Sequence, residues 1–176
     1  LTYSLKLRKG SLQVTVVDKT TQDAIPGAKV EIYDKDGNKV GDTLTADENG
    51  CVSVDNLLPG EYSAKVVDPT DKYLPSNEEL TLNVKPDENV SGKMELTRKQ
   101  GYIKVVVKEK LQNGSLVAFN KSLNIGVKDK DGNLIKTFNT DASGVSSEYL
   151  LDAGEYTAFI NALLEGYTIL DASGVT

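Results

Sequence analysis

This sequence has no histidine and no tryptophan, one cysteine (Cys51), one methionine (Met94) and three phenylalanines. Without an imidazole, Ser-His-Asp and Cys-His catalysis and most zinc arrangements are excluded together. A single cysteine cannot close an intrachain disulfide. Cys51 follows Asn49-Gly50 at a strand start and reads as a half-buried small hydrophobe rather than a nucleophile. The scarcity of aromatics beyond eight tyrosines argues against a large aromatic binding platform. No apolar run is long enough for a membrane-spanning helix. The net charge of −6 and pI near 4.8 provide no basic face for a phosphate backbone, so nucleic acid is not expected as a partner. We read the acidity as a solubility property. No signal peptide is visible at Leu1, so the chain reads as a mature or excised segment.

What the sequence does have is period-two alternation cut by turn residues. Residues 1–9 place Tyr3, Leu5 and Leu7 on one face and Ser4, Lys6 and Arg8 on the other, which predicts a strand. Gly10 opens a second run, with Leu12, Val14 and Val16 set against Gln13, Thr15 and Val17. Further strands are expected at 28–33, 39–45, 51–54, 60–66, 79–85 and 91–97. Between them lie Ile25-Pro26-Gly27, Asp34-Lys35-Asp36-Gly37-Asn38, Asp47-Glu48-Asn49-Gly50, Leu58-Pro59-Gly60 and Pro86-Asp87-Glu88-Asn89. No window sustains a helical period. Short strands at close, regular spacing predict an all-β sandwich.

The pattern then repeats. Gly60-Glu61-Tyr62-Ser63-Ala64-Lys65-Val66, running on to Tyr73, recurs as Gly154-Glu155-Tyr156-Thr157-Ala158-Phe159-Ile160, running on to Tyr167. Asp34-Lys35-Asp36-Gly37-Asn38 recurs letter for letter as Asp129-Lys130-Asp131-Gly132-Asn133, and Ile103, Val105 and Val107 repeat Leu12, Val14 and Val16. The ends do not match the repeat, since residues 3–10 resemble 94–101. The expected organisation is residues 1–9 as the last strand of a preceding repeat or an edge strand, 10–98 as a first sandwich, and 101–176 as a second lacking its final strands. The join at Arg98-Lys99-Gln100 has no Gly/Ser- or Pro-rich linker, which favours a semi-rigid rod. The missing last strand would leave a groove that residues 1–9 of a neighbouring chain could fill by strand exchange; the alternative is that the second unit closes with its own shorter edge.

Little here suggests site chemistry. The two Asp-x-Asp-Gly-Asn stretches read as hairpin turns, with a weak calcium site as the alternative. Neither has the further acids and bidentate Glu of a full calcium loop. Glu78-Glu79 and Asp87-Glu88 are adjacent acids, which point to opposite faces of a strand or are solvated in a loop. The loop 110–120, carrying Leu116, Val117, Ala118 and Phe119, is the best candidate binding surface; a strand edge or packed loop is the plainer reading. No catalytic, cofactor-binding or metal residue is assigned.

The order of these elements, from the polar loop ending in Pro-Gly-Ala through Val-x-Ile-Tyr-Asp-x-Asp-Gly, Asp-Glu-Asn-Gly and Leu-Pro-Gly-Glu-Tyr to a later Tyr, resembles a known family. It is similar to the B-type repeat of the staphylococcal collagen adhesin, found also in Gram-positive pilins. The resemblance covers residues 10–97 fully and 101 to about 170 in part. It implies two tandem Greek-key β-sandwiches, prealbumin-like or immunoglobulin-like, the second incomplete at its C-terminal end. They would act as non-catalytic spacers in a cell-surface adhesin or pilus-like protein, anchored to the wall through a region elsewhere; an accessory module of a larger extracellular protein is an alternative. Its partners would be neighbouring repeats, with a host matrix protein or glycan as the alternative.

Many members of that family carry an intramolecular Lys-Asn isopeptide bond, formed in an apolar core beside a buried carboxyl. The position matching the lysine is Val16 in the first copy and Val107 in the second. The position matching the carboxyl is Val66 and Ile160, and the asparagine region holds Leu96, Thr97 and Arg98. With aliphatic residues at the lysine and carboxyl positions, no isopeptide bond is expected in either copy.

Overall fold

The computed structural model describes residues 2–169. The chain forms two compact units divided between Lys99 and Gln100, and no helix occurs among the described residues.

Unit one contains β1 (Gly10–Asp18), β2 (Lys29–Asp34), β3 (Leu44–Thr45), β4 (Cys51–Leu57), β5 (Gly60–Asp68), β6 (Glu79–Val84) and β7 (Asn89–Leu96). They make two sheets, ordered β4-β1-β7 and β3-β2-β5-β6. The first and last strands lie side by side and parallel, in unbroken register from Ser11 opposite Asn89 to Asp18 opposite Leu96. The other pairs are antiparallel.

Period-two alternation sends one face of each strand inward. Leu12, Val14 and Val16 of β1 meet Val30 and Ile32 of β2, Ala64 and Val66 of β5, Leu82 and Val84 of β6, and Met94 and Leu96 of β7 in one buried core. Each of these side chains except Ala64 contributes about 1.5–3 kcal/mol by leaving water. This burial is the main favourable contribution to closing the sandwich.

Unit two contains β8 (Gln100–Ile103), β9 (Lys108–Lys110), β10 (Leu116–Ala118), β11 (Asn124–Asp129), β12 (Leu134–Asn139), β13 (Tyr149–Asp152) and β14 (Tyr156–Ala162). The sheet β12-β11-β14 repeats β3-β2-β5, and the pair β13-β8 repeats β4-β1. The β9-β10 hairpin is an addition, built from the longer loop of the second copy. The repeat extends to single hydrogen bonds: the amide of Val16 donates to the Gly50 carbonyl, and that of Val107 to the Gly144 carbonyl, both at 2.8 Å.

Three expectations are corrected. Residues 2–9 form no strand; they are exposed throughout, with Leu5 98% accessible. Alternation is not enough to make a strand when no neighbouring strand takes its amides and carbonyls. The strand expected at 39–45 shrinks to Leu44–Thr45, preceded by a lone Tyr33–Lys39 bridge, because Gly41 at φ +72° turns the backbone between the two contacts. The run 103–107 is broken after Ile103 and meets its neighbour again only at the Val106–Val145 bridge. In unit one the equivalent run has a strand on each side. In unit two β8 pairs with β13 alone among the described residues, and Ile103, Val105 and Val107 are only half-buried. The C-terminal end of the second copy, from residue 170, lies outside the described residues.

Candidate functional site

The family-matched positions fall inside the two cores. Val16 and Val66 come from opposite sheets of unit one and, with Leu96, belong to its buried cluster. Val107 and Ile160 pack against the smaller cluster of unit two, around Phe119, Leu123, Ile125, Val127 and Phe138. These positions hold packed hydrocarbon, with no amine or carboxyl among them.

Among the described residues of unit one, the one buried charge lies two residues beyond Val16. Asp18 ends β1 with only 1% of its surface accessible. Its Oδ1 accepts the amides of Thr20 (2.8 Å) and Thr21 (2.9 Å), so the chain turns over the carboxylate as it leaves the strand. Its Oδ2 accepts the Nε–H of Arg98, two residues past the end of β7. The Tyr73 hydroxyl also acts on the carboxylate, and the Arg98 guanidinium lies 6.0 Å from the centre of the Tyr73 ring.

Burial raises the pKa of Asp18. The hydrogen bonds from Arg98, Thr21, Thr20 and Tyr73 outweigh that and hold the carboxyl well below the usual carboxylate range. Burial first, and the bond to Asp18 second, push the Tyr73 hydroxyl above its ordinary value. The result is a charged, fully hydrogen-bonded cluster joining the first strand, the last strand and the segment after β5.

That segment is fixed by its backbone. Tyr73 bridges Arg98, the Leu74 amide donates to the Thr97 carbonyl, and the Lys99 amide donates to the Lys72 carbonyl, the last two at 2.9 Å. Thr70, which opens the turn to Tyr73, adopts φ +71°. A β-branched residue rarely enters this left-handed region.

Sequence reasoning missed the cluster: Asp18 lies just past the alternating run that opens at Gly10, and Arg98 falls in the join. The available signal was an acid directly after an inward-facing strand, followed by Thr20 and Thr21 as amide donors.

The other candidates do not assemble into a site. In both Asp-x-Asp-Gly-Asn turns the first carboxylate is occupied by the turn itself. Asp34 Oδ1 accepts the amides of Asp36 and Asn38, and Asp129 Oδ1 those of Asp131 and Asn133, all at 2.9 Å. Gly37, at φ +81°, supplies the left-handed step that closes the first turn. Among the described residues, no group of three or more His, Cys, Asp or Glu side chains could hold a metal ion. Glu79 pairs with Lys65, Asp87 with Arg8 and Glu88 with Lys85, all at the surface. Cys51 is half-buried beside the Thr15 hydroxyl. In the loop 110–120, Phe119 is buried and meets Tyr167 edge to face at 5.1 Å, while Leu116 stays 61% exposed on the hairpin. Among the described residues no helix is long and apolar enough to cross a membrane.

Comparison with known proteins agrees with this architecture. The chain is 27% identical over 158 residues to serine-aspartate repeat-containing protein F of Staphylococcus epidermidis, covering 80% of this chain and 10% of that protein. It thus spans about a tenth of the length of such relatives. Among solved structures it is similar to the Bacillus anthracis TIE protein, with a TM-score of 0.70 and 21% identity over 92% of this chain and 30% of that one. It is also similar to BcpA, the major pilin subunit of Bacillus cereus, with a TM-score of 0.52 and 12% identity over 88% of both chains. Residues 10–100 match the family described as SpaA, prealbumin-like fold domain. With the seven strands of unit one in two sheets, its first and last strands parallel, and a match over more than half the chain's length, the chain belongs to this prealbumin-like family.

Proposed function

We propose that this chain is a non-catalytic spacer: two tandem repeats, 10–98 and 101–176, that extend a Gram-positive cell-surface or pilus-like protein. The observation that carries the reading is the family match at residues 10–100, together with buried aliphatic side chains at Val16 and Val66. Neither copy carries an isopeptide bond in this reading, because its chemistry needs a lysine and a carboxyl where this chain packs hydrocarbon. Replacing a buried charged triad by packed aliphatics can be neutral or stabilising, since no charge has to leave water. The protein is extracellular, attached through a region outside this segment, and its immediate partners are neighbouring repeats. The direct join at Lys99-Gln100 suits a stalk whose repeats keep a narrow range of angles.

Small-angle scattering tests the spacer reading. An interdomain distance distribution narrow enough for one conformer supports it, and scattering that requires freely varying interdomain angles contradicts it.

A second reading, binding of a host matrix protein or glycan, has one observation in its favour: Leu111 and Leu116 are exposed on the β9-β10 hairpin. Specific retention on a glycan or matrix-protein array, lost on changing Leu116 to Ser, would establish it. Equal signals from both proteins would remove it.

A further inference from the structure

The parallel pairing of β1 and β7 determines how tension would pass through unit one. The chain enters β1 at Gly10 and leaves β7 at Leu96. In a parallel pair these two points lie at opposite ends of the shared ladder, with Gly10 beside the Ser11–Asn89 end and Leu96 at the Asp18 end. Pulling on the flanking chain therefore slides the strands past one another. All the ladder hydrogen bonds resist together, whereas a hairpin pulled from its open end loses them one at a time.

Each end of this ladder has an arginine–aspartate pair between the flanking chain and the opposite strand or its turn. At the entrance, Arg8 pairs with Asp87 and the Lys9 carbonyl accepts the Asp87 amide at 2.9 Å. At the exit, Arg98 pairs with Asp18 and the Leu96 carbonyl accepts the Lys19 amide at 2.9 Å. The two pairs differ in solvent access. At the entrance both side chains are more than half exposed, and such pairs contribute little and are screened by salt. At the exit the carboxylate is buried, and Tyr73 and two backbone amides hold it in place. An arginine suits that position because it stays charged and its planar fork donates in a fixed direction.

We propose that Asp18, Tyr73 and Arg98 form a force clasp, which must open before β7 can slide along β1 when the chain is pulled through its ends. The proposal rests on the spacer reading, because only a stalk that carries tension uses such a clasp. It adds a specific non-covalent element that resists shear between the first and last strands.

The test is single-molecule stretching of the full chain from its two termini, comparing wild type with Arg98→Ala, Arg8→Ala and Val30→Ala. Val30 is a buried residue of β2, outside the sheared pair, so its truncation lowers equilibrium stability without touching the clasp. The clasp predicts that Arg98→Ala lowers the rupture force of unit one and speeds unfolding, extrapolated to zero force, roughly tenfold or more. Arg8→Ala and Val30→Ala stay close to wild type in force. Should Arg98→Ala fail to fold, Arg98→Lys, which keeps the charge but loses the guanidinium fork, carries the same comparison. A force loss no greater for the Arg98 variant than for Val30→Ala overturns the clasp and leaves the spacer reading standing. A wild-type unit one that lengthens gradually, with no discrete rupture, overturns both.

Discussion

Arg98 donates its Nε–H to the carboxylate of Asp18 across 80 positions of sequence, joining the ends of two parallel strands at the edge of the core. Breaking a buried pair from one side strands the remaining charge, at a cost of about 3–5 kcal/mol. Arg98→Ala should fall near the lower end, because the Arg98 side chain is itself 33% exposed. Asp18→Asn combined with Arg98→Met should cost less than the sum of the two single changes, since the double variant leaves no buried unpaired carboxylate at position 18. Urea denaturation of the four proteins measures this, and strict additivity would contradict the coupling.

Acid should unfold the protein through groups of one sign. Asp18 has a folded-state pKa below its unfolded value near 4 despite the opposing effect of burial, because its hydrogen bonds outweigh it. Glu31 is held at about 2 by Lys39, then by the hydroxyls of Tyr33 and Thr43. Each binds a proton more readily in the unfolded chain. The stability they contribute is fully present above about pH 5 and is lost as pH falls below about 4. With no histidine in the sequence, stability should be nearly flat from pH 5.5 to 8. Denaturation midpoints at pH 7, 5 and 3 test this. Asp18→Asn should be less stable at pH 7 yet lose less between pH 5 and pH 3.

Thr70 sits at φ +71°, a conformation that costs an L residue roughly 1–2 kcal/mol. Asparagine tolerates it better, so Thr70→Asn should stabilise unit one by about 1 kcal/mol, a melting shift of about 4–8 °C for a domain of this size. A loss of stability would show that the threonine side chain is needed to present Tyr73.

The strands and turns were legible in the sequence because they depend on local chemistry. Alternation placed Leu12, Val14, Val16, Val30 and Ile32 inward, and the Asp34 and Asp129 turns recur with the same hydrogen bonds. What was not legible depends on distant partners. Residues 2–9 alternate as a strand does, yet no strand pairs with them, and apart from the Arg8 and Lys9 contacts to Asp87 they stay exposed. Asp18 reads as a loop acid because its partners, Tyr73 and Arg98, join it only when β7 returns beside β1. Phe119 reads as part of an apolar surface, but the hairpin turns it onto Tyr167.

Calcium should leave the melting temperature unchanged. The Asp34 and Asp129 carboxylates accept amides of their own turns, and the Asn38 and Asn133 side chains donate to them as well. Scans in millimolar calcium and in EDTA should superimpose. A rise of several degrees with calcium would restore the cation site as the better reading of these turns.

On the spacer reading, this member of the family is closed by packing and a non-covalent ion pair rather than by a covalent staple. Intact-mass spectrometry of the purified chain tests it most directly. Each isopeptide bond would release ammonia and lower the mass by about 17 Da, as covalent stoichiometry requires. The expected result is the unmodified sequence mass, with no such deficit. A mass low by one or two such steps would contradict it and place a cross-link in one or both units.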